Sequence, residues 1–219
     1  MNLDFGQFVP NIPYILQGIL VTLKFVSVSA IVGFALGTIL ALFKIGRVKM
    51  LSWLADAYTS VFRGTPLILQ LLLFYHATPQ LTGYDISAFE AGVLSFGLNS
   101  AAYISEIIRA GIRAVDTGQN EAAAALGIPY RPMMKDIILP QAMKNILPAL
   151  MNEFITLTKE SAIVSVIGVF DIMRRSQIVA AEKFKYFEPL LIAGIIYYLL
   201  VMILTLVGKI VERRMSRSD

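Results

Sequence analysis

The chain has no cysteine and only one histidine in 219 residues. Without cysteine, neither a disulfide nor a thiolate metal site can form. His76, near the end of an apolar run beside Pro79, reads as an interfacial side chain, so zinc and haem have no ligand set. H-E-x-x-H is missing as well, and an intramembrane enzyme finds no residues to work with. No G-x-x-x-x-G-K-[ST] stretch occurs, so this chain cannot cradle the phosphates of ATP. Charge is scarce, with 16% charged residues against 57% hydrophobic ones. A soluble domain is closer to half apolar and a quarter charged. Before Tyr14 the one charged side chain is Asp4. The basic leader of a secretory signal is absent there, and the first apolar segment is expected to be retained.

What is present is long apolar runs, and mean hydropathy is +0.69. Several runs approach the roughly 20 residues a helix needs to cross a bilayer. The pattern predicts an all-α integral membrane protein with one domain over residues 1–219. Five transmembrane helices are expected at about 15–43, 65–79, 89–108, 146–170 and 189–211. The first contains Gly33 and Gly37 at a spacing that lets helices approach closely in lipid. Leu51 to Phe62, with Trp53 and Tyr58, reads as an interfacial amphipathic helix. The second span is short, which implies local thinning or burial.

The formal net charge is +4. In a soluble protein that balance would suggest nucleic acid; here the positive-inside rule accounts for it. Lys44, Arg47 and Lys49 follow the first span, and Arg109, Arg113, Arg131, Lys135 and Lys144 follow the third. Lys209, Arg213, Arg214 and Arg217 form the tail. These are twelve of the 19 basic residues, and five spans place them on one side. The N-terminus is therefore expected outside and the C-terminus in the cytoplasm. The outer interval Asp171 to Glu188 carries mixed charge, which suits either a docking surface for a soluble partner or a solvated helix.

The segment after the third span holds Glu121-Ala122-Ala123, then three residues, Gly127, nine residues, and Ile137-Ile138-Leu139-Pro140. Alanines favour helix, Gly127 permits a positive φ, and Pro129 and Pro132 oppose simple continuation. Alone, such a run is an ordinary surface helix. The full spacing resembles the EAA loop of ABC-importer permeases, whose short cytoplasmic helix docks into a separate ATPase subunit. Arg63-Gly64-Thr65-Pro66-Leu67, Asn99-Ser100-Ala101-Ala102-Tyr103, Glu106 to Gly111, Gly118-Gln119, and Asn152 to Ile155 through Lys159-Glu160-Ser161 are similar to the polar amino acid permeases of that class. Thr117 stands where the family usually has proline.

The resemblance implies five core helices per subunit, working as a pair. It implies two ATP-binding subunits that hold ATP and magnesium inside, and an amino-acid-binding protein outside. It also implies a bacterial plasma membrane location and no cofactor in this chain. The coupling segment would cover about 117–140, with Glu121, Ala122, Ala123 and Gly127 as its contacts.

Span four carries Asn152, Glu153, Thr156, Lys159 and Glu160. In a helix these lie on one face. Charges inside a span are costly and mark function by default. One reading is an amino acid ligand, with Lys159 meeting its carboxylate and Glu153 or Glu160 its ammonium. The acid left over could serve a cationic side chain or pair with Lys24. The other reading is an internal Lys159–Glu pair that fixes packing. Asn99 offers a donor and an acceptor, and a helix break at Lys159 to Ser161 would add backbone donors. The resemblance adds Thr65, Leu67 and Ser161 to the substrate candidates. A stand-alone channel or secondary transporter is the competing function; it would need no ATPase.

Overall fold

A computed structural model describes residues 4–216. Arg217 of the basic tail lies outside the described residues, and of Arg214 only the backbone is described. The described residues contain helices and turns and no strand. A 3-10 segment at Gly6–Asn11 leads into α1 (Ile12–Leu16) and α2 (Gly18–Ile45). Then come α3 (Lys49–Gly64), α4 (Leu67–Thr82), α5 (Ala88–Arg113), α6 (Thr117–Ala125) and α7 (Tyr130–Pro132). A π-helical turn at Met133–Ile138 opens into α8 (Leu139–Glu160), which continues as a 3-10 stretch at Ser161–Ile167. The chain ends with α9 (Ile172–Lys183) and α10 (Phe187–Ser216).

Among the described residues three helical stretches are long and apolar enough to cross a membrane: Gly6–Ile45, Ala88–Arg113 and Phe187–Arg213. The pair α3 and α4, bent by 101° at its break, passes the same test as one broken span. The chain is membrane-embedded. α8 fails on composition and not on length, since its 22 residues extend about 33 Å while carrying Lys144, Glu153, Lys159 and Glu160.

The centre of the bundle is the pair α2 and α5, which run parallel, from Phe25 beside Phe89 to Lys44 beside Glu106. Gly33 and Gly37 are buried there, and a Cβ at either would sit 2.9 Å from Ser100 Cβ or from the Ala101 carbonyl. The small-residue spacing in the sequence thus does bring two helices into backbone contact. Phe25 stands edge-on between Phe89 and Phe96, with centroids 5.9 and 5.0 Å away. Such pairs each add about 0.5–1.5 kcal/mol beyond buried area. A second apolar cluster joins Phe8 and Ile15 to Ile172, Val179 and Ala193, so α9 and α10 pack on the N-terminal turns. A third, around Val115, Ile138, Ala142 and Ile146, sits beneath α6.

The helix ends follow local chemistry. α8 starts at Leu139, because Pro140 occupies its first turn, where a proline ring costs no hydrogen bond. Its α-helical part stops at Glu160, and the chain leaves the 3-10 stretch at Gly168 with φ +90°. Pro132 does not stop the chain either; it lies within the short helix α7. α3 also touches the bundle. The Tyr58 hydroxyl donates to the Leu98 carbonyl at 2.8 Å, so the helix climbs along α5 into the bundle.

Lys44, grouped by sequence with the basic residues that follow the first span, is buried at the foot of α2. Its ammonium meets Asp56 at 3.2 Å, the Thr59 hydroxyl at 2.7 Å, and Glu106, which also holds Arg109.

Candidate functional site

Two neighbouring residues of α5 organise the middle of the molecule. Asn99 is 7% exposed. Its amide donates to the Phe62 carbonyl at 3.0 Å and to Gln70 Oε1 at 3.1 Å. Gln70 in turn donates to Phe62 O, Thr65 O and Thr65 Oγ1 at 2.9, 3.2 and 2.8 Å. These bonds satisfy the backbone groups freed where α3 stops and α4 starts, a requirement in the absence of water. Pro66 caps α4 in extended conformation and cannot donate, which fixes the corner. Arg63 at the same corner lies 5.2 Å from the Tyr103 ring centroid.

The next residue, Ser100, donates to Glu153 Oε1 on α8 at 2.8 Å. Asn99 and Ser100 therefore bring the broken α3–α4 joint and the acidic residue of α8 to one level. Gln70 and Ser100 were not singled out as site residues from sequence. Gln70 was visible as the one polar residue between Leu67 and Phe74.

The α8 stripe is as expected in periodicity and informative in exposure. Asn152, Lys159 and Glu160 are exposed, with Glu153 and Thr156 partly so; Ile155, Leu157 and Thr158 are buried. The polar face thus points away from the chain's own body. Among the described residues Lys159 forms no ion pair within hydrogen-bonding reach of Glu153 or Glu160.

The remaining substrate candidates divide. Thr65 is exposed at the joint, although its hydroxyl donates to the Val61 carbonyl at 2.9 Å. Leu67 is partly buried against the central core. Ser161 is fully buried and donates to the Thr158 carbonyl at 2.8 Å. The Asn99 amide nitrogen is committed within the chain, which leaves its oxygen available. Sequence spacing could not reveal these internal partners.

On the far side, Asp116 caps α6 by accepting from the Gly118 N–H at 2.6 Å. Thr117 takes the first helical position, where proline is favoured but not required. At the other end Gly127 adopts φ +68°, and its N–H and that of Ile128 bond back to Ala124 and Ala123 at 3.0 and 2.9 Å. This is a Schellman closure followed by Pro129. Ala123 packs inward at 2% exposure, while Glu121, Ala122 and Gly127 are exposed and Leu126 is 77% exposed. α6 is a short, rigidly ended helix with a small apolar outer face.

Residues 33–217 match the family of binding-protein-dependent transport system inner membrane components. The arginine transport system permease protein ArtQ of Bacillus subtilis is 60% identical over 219 residues, covering 100% of both chains. A putative glutamine transport system permease protein GlnP of Rickettsia felis is 52% identical over 209 residues, 95% of this chain and 96% of that one. Among solved structures, an amino acid ABC transporter crystallised with histidines superposes with TM-score 0.94 at 45% identity, covering 98% of this chain and 100% of that chain. An inward-facing MetNI methionine ABC transporter shares the fold, at TM-score 0.77 and 20% identity. A stand-alone channel or secondary transporter is set aside by these matches. This chain belongs to the binding-protein-dependent inner membrane component family and is a non-catalytic permease subunit of an ABC importer, whose ATPase is a separate subunit.

Proposed function

We propose that the chain forms one half of the passage of an ATP-driven importer for polar amino acids of the arginine, glutamine or histidine class. The full-length relatives carry arginine and glutamine transport in their names. The observation that carries the site reading is the outward-facing stripe on α8 at the level of the broken α3–α4 joint. Charged groups at that depth need a water-filled cavity or a partner. A second permease, identical or homologous, packed across the stripe would enclose such a cavity. Glu153 then faces a positive group of the substrate and Lys159 its carboxylate. Thr65 and the first N–H groups of α4 border the same space, as in transporters with discontinuous helices.

Five spans follow if α8 and the α3–α4 pair each cross once, with the N-terminus outside and the C-terminus and α6 in the cytoplasm. The exposed face of α6 fits a cleft on each of two ATP-binding subunits, and a binding protein delivers substrate outside. ATP-driven closure of the ATPases draws the two α6 helices together and switches the paired permeases between inward and outward access.

Two measurements test this. Uptake by vesicles holding the chain with an ATPase partner should depend on ATP and respond to arginine, glutamine or histidine in a panel of amino acids; uptake without the ATPase would overturn it. Because native cysteine is absent, single cysteines can report sidedness without background. Leu81→Cys and Lys183→Cys should react with an impermeant thiol reagent outside intact cells, and Asn120→Cys should not.

A further inference from the structure

Lys24 sits exposed on the apolar helix α2. Among the described residues it forms no ion pair, and its ammonium lies 5.6 Å from the Phe89 ring centroid. An ammonium on an apolar span needs a polar counterpart. Lys24, Val28 and Val32 follow at i, i+4 and i+8 and form one stripe down α2. Val28 and Val32 line a groove of about 430 Å³ whose other wall is Phe89, Val93 and Leu94 of α5. That volume lies in the range of small-molecule sites.

The mouth of the groove carries an anion. Ser87 and Glu90 form a capping box that fixes the Glu90 carboxylate at the first turn of α5. Glu90 Oε2 accepts from the Ser87 N–H and hydroxyl at 2.9 and 2.7 Å. Oε1 accepts only a long bond from the Tyr84 hydroxyl, at 3.3 Å, and so keeps acceptor capacity. A cation and an anion thus flank the Phe89 ring at one end of an apolar trough. Since α2 and α5 are parallel and run away from that end together, the trough has a polar mouth and an apolar floor.

We propose that this groove is a binding site for a zwitterionic phospholipid of the phosphatidylethanolamine type. One acyl chain fills the trough, the phosphate meets Lys24, and the headgroup ammonium meets Glu90. The paired charges at the mouth match that headgroup. Phosphatidylglycerol offers the phosphate without the ammonium, and phosphatidylcholine offers a cation without N–H donors. This inference rests on membrane embedding alone and stands apart from the substrate site on α8.

The chain has a single tryptophan, Trp53, so a reporter can be moved. In a Trp53→Phe, Leu94→Trp background the full-length chain is reconstituted in phosphatidylcholine vesicles containing brominated phosphatidylethanolamine, brominated phosphatidylglycerol or brominated phosphatidylcholine. Brominated phosphatidylethanolamine should quench Trp fluorescence with an apparent affinity about fivefold above that of the other two headgroups. Lys24→Met should abolish the preference, and so should Glu90→Gln, which retains the capping box. Equal quenching by all three headgroups would overturn the proposal, as would a preference for phosphatidylglycerol or a preference that survives Lys24→Met. So would an unquenched Leu94→Trp with Val28→Cys forming a disulfide to a second copy, which would make the groove a contact between chains.

Discussion

Two groups of charges sit among apolar helices in this protein, and they are built in opposite ways. At the foot of α2, Lys44 is enclosed by Asp56, Glu106 and Thr59, and Glu106 holds Arg109. Every member finds its partner inside the chain. On α8, Asn152, Lys159 and Glu160 face outward, and Glu153 reaches inward only as far as Ser100. The first group ties α2, α3 and α5 into one body. The second makes sense only when something outside the chain completes it. The lesson is that an ionisable residue in a span signals function when the fold leaves it open, and architecture when the fold closes it.

The largest expected effect falls on neither group. Gly127→Trp places a side chain at φ +68°, where L residues are strained, and puts a large ring on the exposed face of α6. Uptake should be lost while the protein still inserts, because Gly127 lies outside every span. Normal ATP-driven uptake by this variant would remove α6 from the coupling role.

The closed cluster should behave as structure. Glu106→Gln leaves the Lys44 ammonium with Asp56 as its one carboxylate, beside the Thr59 hydroxyl, and Asp56 is 63% exposed. Removing one partner of a buried pair costs about 3–5 kcal/mol; here the half-open site favours the low end. A lower melting temperature with unchanged amino acid affinity is expected. An affinity change at wild-type stability would blur the contrast between the two groups.

Asp171 is a third arrangement, a fully buried carboxyl with no cation in hydrogen-bond contact. It accepts from the Arg174 N–H at 2.8 Å and the Tyr197 hydroxyl at 2.9 Å. Burial nonetheless pushes it from its ordinary 3.8 up to about 6. The folded state therefore prefers the protonated form. Its contribution to stability is complete below pH 4 and is lost as pH rises through about 6. The displacement of about two units corresponds to roughly 3 kcal/mol. Melting temperatures between pH 4 and 7 should fall more steeply for wild type than for Asp171→Asn; parallel profiles would exclude Asp171 as the titrating group.

Features set by local chemistry were legible in the sequence. Gly127 announced its turn because a left-handed residue ending a helix is usually glycine, and Gly33 and Gly37 announced a close helix contact without naming α5 as the partner. The periodicity of the α8 stripe was likewise readable. What stayed hidden depends on pairs far apart in the chain. Gln70 and Asn99 are 29 residues apart, and Lys44 and Glu106 are 62 apart. The charge pattern grouped Lys44 with the basic residues after the first span, and only packing shows it enclosed. The same gap explains α3. Its amphipathic pattern fits an interface, and nothing local says that Phe62 will offer its carbonyl to Asn99 deep in the bundle.

The smallest effect is also the one that bears most directly on the contrast. Glu153→Gln keeps the size and an acceptor for the Ser100 hydroxyl but removes the charge. If the open group serves substrate, one charge-assisted hydrogen bond is lost, about 1.5–3 kcal/mol, and apparent affinity falls about ten- to a hundredfold. Stability should hardly change, because Glu153 has no ion-pair partner within the described residues. If Glu153 instead serves packing as Glu106 does, stability falls and affinity in the folded fraction stays at the wild-type value. Measuring amino acid affinity and melting temperature on the same purified variant separates these outcomes. A destabilised variant with intact affinity would move Glu153 from the open group to the closed one and leave Glu160 as the one acid of the open stripe.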